Sequence, residues 1–344
     1  MVLDGTGAVW RTWYMTLTLF QGDCLDLLPT IESSSVHLIV TSPPYADKRK
    51  HTYGGIAPDD YVDWFVPRSA EFMRVLREDG SFVLNIKEGV YDGERHPYVY
   101  ELVLALRKQG WKLIDDYVWA KANSFPGWWP SRFRDGWEHC YHFSKSLRPR
   151  MFQDTVKEPI KGWATKRLDG DKSYDEIRRN SATGSGSSLR VANWKNREFV
   201  FPDNVLDFDF NMEEIQAQLA EMQTWMAQLA QMDPHTPPNE VLRFATECSN
   251  RGHSATFPVS LPDWFIRLFT APGDVVLDPF AGSGTTGVAC KALGRECIQI
   301  ELLPENCQLA RQRWDDPRPV SALPKASDIT PEEDLTRMFS PDSE

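Results

Sequence analysis

Residues 274–287 read Asp-Val-Val-Leu-Asp-Pro-Phe-Ala-Gly-Ser-Gly-Thr-Thr-Gly, and this stretch carries the clearest chemistry in the chain. Val275, Val276 and Leu277 form a short apolar run of the kind a buried parallel strand needs. The run stops at Asp278. A turn of Pro279, Phe280, Ala281, Gly282, Ser283 and Gly284 follows, and Thr285 opens a helix expected to end near Gly294. A second strand from Glu296 then runs into Glu301 and Leu302. The pattern is a βαβ unit with a carboxylate at the tip of each strand.

Such a turn suits three kinds of ligand. Gly282, Gly284 and Gly287 satisfy a dinucleotide fingerprint, with Glu301 near the place of a ribose-binding acid. Asp278, however, would stand against the pyrophosphate, and like charges repel. A P-loop needs Lys after Gly287, where Val288 stands. A cationic ligand fits Asp278 better, and S-adenosylmethionine carries an amine and a sulfonium beside a ribose and an adenine.

A second stretch, Val36-His-Leu-Ile-Val-Thr-Ser-Pro-Pro-Tyr45, is a buried strand followed by a stiffened turn. Pro43 and Pro44 hold the backbone extended and remove two N–H donors. The Ser42 hydroxyl and backbone carbonyls then make an acceptor-rich edge beside the Tyr45 ring. The exocyclic amine of a nucleobase wants two acceptors for its hydrogens and a flat apolar surface for its ring.

Together these stretches resemble the amino-methylating DNA methyltransferases of bacterial restriction–modification systems. Thr41-Ser-Pro-Pro-Tyr45 is similar to that family's catalytic motif, and Asp278 to Gly287 to its cofactor motif. The order, catalytic before cofactor, resembles the β arrangement. The resemblance covers most of residues 17–148 and 250–314. It implies S-adenosylmethionine as cofactor, double-stranded DNA as substrate, and direct methyl transfer to a flipped base. Ser before Pro-Pro-Tyr implies cytosine N4, whereas Asp or Asn there accompanies adenine N6. Catalysis is expected from Ser42, Pro43, Pro44 and Tyr45, and cofactor contact from residues 278–285, Glu301 and Leu302. The resemblance also implies that Asp23 holds the adenine amine with Cys24 beside it, and that Ser254 and Phe257 close the cofactor pocket opposite Asp278. Asp23 also reads as the N-cap of a following helix, and the two roles are compatible.

Composition sets limits on this reading. A chain of 344 residues with net charge −11 does not advertise a nucleic-acid binder, although a basic cleft can sit on an acidic molecule. Six scattered cysteines show neither a CxxC pair nor zinc spacing, so no metal is expected and a reducing cytoplasm fits. No apolar run is long enough to span a membrane. A nucleoid-associated cytoplasmic location is therefore expected. A cognate restriction endonuclease and a second copy of the chain are the partners that the resemblance allows.

The elements that must position these residues alternate. Thr16–Phe20 reads as a strand, 58–79 as a helix, 81–86 as a strand, 97–109 as a helix, and 111–119 as a strand. That alternation predicts a doubly wound, largely parallel α/β sheet of the Rossmann-like methyltransferase type. Residues 15–147 would supply the catalytic half and 250–314 the cofactor half, with 148–249 an inserted recognition region and 315–344 a tail. The stretches around 119–123 and 133–143 resemble the family's lining of the target-base pocket, which makes Lys121, Asn123, Arg132 and Glu138 its polar candidates. His139 and His142 lie three apart with no evident acid partner.

DNA contact is expected from two places. Lys48, Arg49, Lys50, His51 and Tyr53 follow the catalytic motif directly, although a solvated charge run would look the same. Residues 145–197 hold thirteen Lys and Arg against six Asp and Glu. There Lys161, Trp163, Lys166, Arg167, Arg178, Arg179 and Arg190 are the candidates for phosphate and base contact. The apolar spacing of residues 211–232 predicts an amphipathic helix, packing on its own domain or pairing with another subunit. Two other classes stay open, an NAD-binding dehydrogenase and a catalytically silent DNA-binding protein.

Overall fold

The computed structural model describes residues 16–47, 55–121, 131–133, 135–159, 199–207 and 257–315, together with two short strands at Val2–Leu3 and Val9–Trp10. The expected DNA contacts at Lys48, Arg49, Lys50, His51, Tyr53 and the 161–190 segment lie outside these residues, as do Asn123, Ser254, the 211–232 helix and residues 316–344. The chain divides into two units, Met1–Phe152 with Asn204–Leu323, and Gln153–Asp203 with Pro324–Glu344. In the second, Glu158–Pro159 pairs with Phe199–Val200. The sheet and the site belong to the first.

The ordered elements are β1 (Leu17–Gln21), α1 (Cys24–Leu27), β2 (Val36–Thr41), α2 (Tyr61–Val75), β3 (Leu76–Ile86), α3 (Tyr98–Gln109), β4 (Lys112–Ala120), β5 (Trp137–Ser144), β6 (Val205–Asp207), α4 (Ser260–Phe269), β7 (Val275–Asp278), α5 (Thr285–Leu293), β8 (Glu296–Glu301) and α6 (Pro304–Asp315). Eight strands form one sheet in the order β6-β4-β5-β3-β2-β7-β8-β1. Every neighbouring pair is parallel except those made by β5, which runs against both β3 and β4. The largely parallel α/β expectation holds, with this one strand reversed.

β2 sits at the centre, and Val36, Leu38, Ile39 and Val40 are almost fully buried. A parallel strand covered on both faces cannot alternate, which is why it reads as a continuous apolar run. α2 turns Tyr61, Phe65, Phe72 and Val75 inward, and α3 turns Tyr98, Val99, Leu102 and Leu106 inward. The spacings of three and four put each set on one helical face. α4 packs Phe265, Ile266 and Phe269 into the other layer, beside α5.

The helix expected over 58–79 ends at Val75, and β3 begins at once. Leu76 pairs with Val36 and Ser81 with Leu38, so residues 77–80 bulge between two paired positions. Gly80 closes the bulge: a Cβ there would lie 2.8 Å from the Leu76 side chain and 3.0 Å from the His37 carbonyl oxygen. The polar run Arg77-Glu-Asp gives no warning of pairing on either side of it.

From the sheet centre the chain winds both ways. β2 leads through α2 to β3 on one side, and β7 leads through α5 to β8 on the other. Ligands of open α/β sheets bind where winding reverses, beyond the carboxyl ends of the strands. Here that point lies between Thr41 and Asp278, because β2 and β7 are hydrogen-bonded neighbours.

Candidate active site

The first carboxylate at the switch point faces inward. Asp278 is 1% exposed, and its Oδ1 accepts from Thr41 Oγ1 at 2.6 Å and from the Phe280 backbone N–H at 3.2 Å. Its Oδ2 accepts from Thr286 Oγ1 at 2.6 Å. The expectation that Asp278 meets a cationic ligand directly differs from this placement: the side chain is buried and is not part of the cavity wall. It ties the tip of β2 to that of β7 and to the start of α5.

Burial raises Asp278 from the ordinary 3.8 to about 6, against the lowering effect of its three hydrogen bonds. Between those two values the folded protein holds a proton that the unfolded chain has already lost. The contribution of this group to stability therefore falls as pH rises through the window, by on the order of 3 kcal/mol in total. Asp278→Asn removes that slope. Urea unfolding of both proteins at pH 4 and pH 6 measures it, and identical pH dependences would contradict the assignment.

Beyond the switch point lies a cavity of about 630 Å³, within the range of small-molecule sites. One end is built by the glycine turn and β8, with Pro279, Phe280, Ala281, Gly282, Ser283, Thr285, Glu301 and Leu302 in the wall. Glu301 is 4% exposed. It accepts from Gly282 N at 2.8 Å, Leu303 N at 2.9 Å and Asn306 Nδ2 at 3.1 Å. Two more turn N–H groups are also taken: Ala281 N donates to Ile300 O and Gly284 N to Ala281 O.

The turn after β1 closes the same end with Gly22 and Asp23, followed by Cys24 of α1. Both readings of Asp23 meet here, since it lines the cavity and caps α1, accepting from Leu25 N at 2.8 Å. Arg68 of α2 grips both Asp23 oxygens, at 2.6 and 2.9 Å, and its guanidinium lies 4.2 Å above the Trp64 ring. Trp64 in turn meets Phe280, with ring centroids 5.7 Å apart. Arg68 and Trp64 carry no motif, and sequence reasoning missed them. Their only signal is a helical spacing of four. Burial pushes the Cys24 thiol up to about 12, which makes it a wall atom rather than a nucleophile. Phe257 also lines the cavity.

The opposite end holds Ser42, Pro43, Pro44, Tyr45, Asn85, Trp119, Lys121 and Glu138. Tyr61 Oη donates to Pro44 O at 2.8 Å, and Tyr91 Oη donates to Ala46 O at 2.6 Å, so the turn after β2 is pinned from α2 and from the segment following β3. With the Pro44 carbonyl occupied, the Ser42 hydroxyl and the Pro43 carbonyl remain as acceptors. Ser42 Oγ lies 3.4 Å from Tyr45 Oη, which lies 2.6 Å from Glu138 Oε2. Burial first, and then the Glu138 carboxylate, hold the Tyr45 hydroxyl well above its ordinary range, so it stays protonated. Asn85 Nδ2 donates to Glu138 Oε2 at 3.1 Å and to His139 O at 3.0 Å, and Lys121 pairs with Glu138 Oε1.

Arg132 pairs with Asp135 and is not in the cavity wall. His139, expected to have no acidic partner, finds one across the β4–β5 pairing: its Nδ1 lies 3.0 Å from Asp116 Oδ1. Among the described residues no group of three or more His, Cys, Asp or Glu could hold a metal ion, and no helix is long and apolar enough to cross a membrane.

This architecture has relatives. The family described as DNA methylase matches residues 36–312, most of the chain. The type II methyltransferase M.PvuII of Proteus hauseri is 29% identical over 309 residues, covering 87% of this chain and 84% of the relative. M.XycI of Xanthomonas campestris pv. cyanopsidis is 28% identical over 86% of this chain and 87% of its own. Among solved structures, the cytosine-N4-specific PvuII DNA methyltransferase superposes with a TM-score of 0.57 at 25% identity, covering 88% of this chain and 87% of that one. A Thermus thermophilus protein solved with S-adenosyl-L-methionine shares the fold at a TM-score of 0.50 and 23% identity, covering 87% of this chain and 93% of its own. With its catalytic turn and its glycine turn meeting across one sheet switch point, the chain belongs to the DNA methylase family.

Proposed function

We propose that this DNA methylase uses S-adenosylmethionine to methylate the exocyclic N4 of cytosine in duplex DNA. The observation that carries this reading is the joining of the acceptor-rich Ser42 turn and the glycine turn in one cavity at the β2–β7 switch point. A phosphate-bearing ligand suits the glycine turn poorly. The N–H groups of Phe280, Ala281, Gly282 and Gly284 all donate within the protein, and carboxylates, those of Asp278 and Glu301, occupy two of them. Nicotinamide dinucleotides and nucleoside triphosphates both need those donors.

The charges in the wall suit a cation. Arg68 is matched by Asp23 and Lys121 by Glu138, while Glu301 is met, among the described residues, by backbone and amide N–H groups. Glu301 and Asp23 would hold the ribose and adenine, with Leu302, Phe280 and Trp64 as apolar cover. The cofactor supplies a methyl group on a sulfonium that leaves as a neutral sulfide, so no oxyanion hole is required.

The residues of this chain do the rest. A base amine is a weak nucleophile because its lone pair is delocalised into the ring. Accepting its two hydrogens at Ser42 Oγ and the Pro43 carbonyl draws it toward tetrahedral geometry and frees that pair. The Tyr45 ring offers a face to a base turned out of the duplex, a movement costing a few kcal/mol of unstacking. Holding the amine in line with the methyl group removes roughly 7–11 kcal/mol of barrier through orientation.

Cytosine rather than adenine is favoured by Ser42 before Pro-Pro-Tyr and by the specificity of the structurally similar PvuII enzyme. Phosphate contacts from the basic loop after Tyr45 and from residues 161–190 belong to the same proposal, as do a restriction endonuclease partner, a homodimer and a cytoplasmic location. The test is incubation of unmodified duplex DNA with methyl-labelled cofactor, followed by digestion to nucleosides. Label in N4-methylcytosine is expected. Label in 5-methylcytosine would overturn the mechanism, and label in N6-methyladenine would change the base alone.

A further inference from the structure

Methyl transfer to a neutral amine leaves one proton too many, and the Ser42 end of the cavity contains a route for it. Glu138, as a carboxylate, can only accept hydrogen bonds. Tyr45 must therefore direct its single hydroxyl proton at Glu138 Oε2, 2.6 Å away. With that proton committed, Tyr45 Oη can only accept from Ser42, 3.4 Å away. Ser42 in turn directs its own proton at Tyr45 and presents only lone pairs to an incoming amine. The direction of every bond follows from the carboxylate at the far end. Glu138 is 7% exposed and is held by Asn85 Nδ2 and Lys121 Nζ, two donors on different strands or their extensions.

We infer that Ser42, Tyr45 and Glu138 form a one-way proton wire from the target amine to Glu138. The inference rests on the proposed amino-methylation and names the group that takes up its proton. As the N–CH₃ bond forms, the S–CH₃ bond breaks with its electron pair going to sulfur, and the amine nitrogen becomes cationic. The amine proton passes to Ser42 Oγ, the Ser42 proton to Tyr45 Oη, and the Tyr45 proton to Glu138 Oε2. Both hydroxyls are regenerated, and Glu138 ends as a carboxylic acid that returns its proton to solvent once the product leaves. The 3.4 Å step is longer than the usual 2.7–2.8 Å of an O–H···O bond, so it is the link that must shorten during transfer. Ser42 touches the substrate and is catalytic. Tyr45 and Glu138 act through it, and Glu138 is a positioning residue that also receives the proton.

Tyr45→Phe keeps the ring and cuts the wire, whereas Glu138→Gln keeps an acceptor for Tyr45 and cannot take a proton. The experiment measures single-turnover methyl transfer to unmodified genomic DNA, with protein in excess, for wild type, both variants and the double variant. Cofactor affinity is measured alongside by calorimetry. Each single variant is expected to be slower by roughly a hundredfold, the lower end of proton-transfer catalysis, with cofactor affinity within about threefold of wild type. The double variant is expected to be no slower than either single, because one broken wire cannot be broken again.

A wild-type rate in either variant, or a double loss equal to the product of the single losses, overturns the wire. Should Glu138→Gln fail to bind cofactor, the decision falls to the solvent isotope effect. A slowing of wild type in D₂O that disappears in Tyr45→Phe supports the wire, and equal wild-type rates in H₂O and D₂O overturn it. Absence of labelled amine in the wild-type reaction, by contrast, would refute the proposed function itself.

Discussion

Ser42→Ala is expected to lower methyl transfer to about a hundredth of the wild-type rate while leaving cofactor affinity within about twofold. A hundredfold loss corresponds to about 2.7 kcal/mol of transition-state stabilisation, a size typical of losing one positioned polar group in a catalytic site. The serine oxygen is the acceptor at the tip of β2, and alanine leaves the amine with the Pro43 carbonyl alone. Binding is spared because the hydroxyl touches Tyr45 and no part of the glycine turn. The fold is spared because the strand-tip tie runs through the neighbouring Thr41. Labelled methyl incorporation and calorimetric titration of the cofactor separate the two quantities. A parallel collapse of both would show that the division into an amine end and a cofactor end is wrong.

Gly284→Ala should act in the opposite sense, on the scaffold of the cofactor end. Gly284 precedes α5 with φ of 82°, in the left-handed region. A Cβ there would lie 2.7 Å from the Ala310 Cβ and 2.8 Å from the Ala310 Cα of α6. The second contact is with backbone, so no rotamer change relieves it. Left-handed strain of about 1–2 kcal/mol and overpacking of about 1–3 kcal/mol together predict a loss of roughly 2–5 kcal/mol. Gly287→Ala is the control. Its Cβ would meet the Gln299 side chain at 3.0 Å, a group able to give way, and a smaller loss is expected. Urea unfolding ranks the two variants, and cofactor affinity should follow the same order. Equal stabilities would mean that α6 moves freely, contrary to the packing seen here.

The elements that were legible are those whose local pattern and tertiary role agree. β2 and the β7–α5–β8 unit read correctly to within a residue or two, because buried apolar runs end at Asp, Pro and Gly. Asp278 was legible as a strand tip but not as a tie. Its hydroxyl partners are 237 and 8 residues away, and nothing in Thr41 or Thr286 announces which acceptor each will meet. Glu138 was a candidate without a role because β5 runs backwards. The start of that strand, rather than its end, reaches the carboxyl edge of the parallel strands, where Ala120 pairs with Trp137 and Ile86 with His139. Arg68 escaped notice altogether. Its task is to cross from α2 to Asp23, and helical periodicity records burial but not what a buried guanidinium grips.

The strand order also bears on how the protein is made. β7 and β8 lie between β2 and β1, so the last two strands among the described residues must enter between two that left the ribosome long before. Until residue 301 has emerged, the nascent chain carries facing unpaired edges on β1 and β2, a hazard for edge-to-edge association. Closure then joins residues more than 200 positions apart, as Leu38 with Val276 and Leu17 with Cys297. Pairings of such span make for slow folding. Newly made copies should therefore depend on chaperone protection during the interval before the wedge goes in.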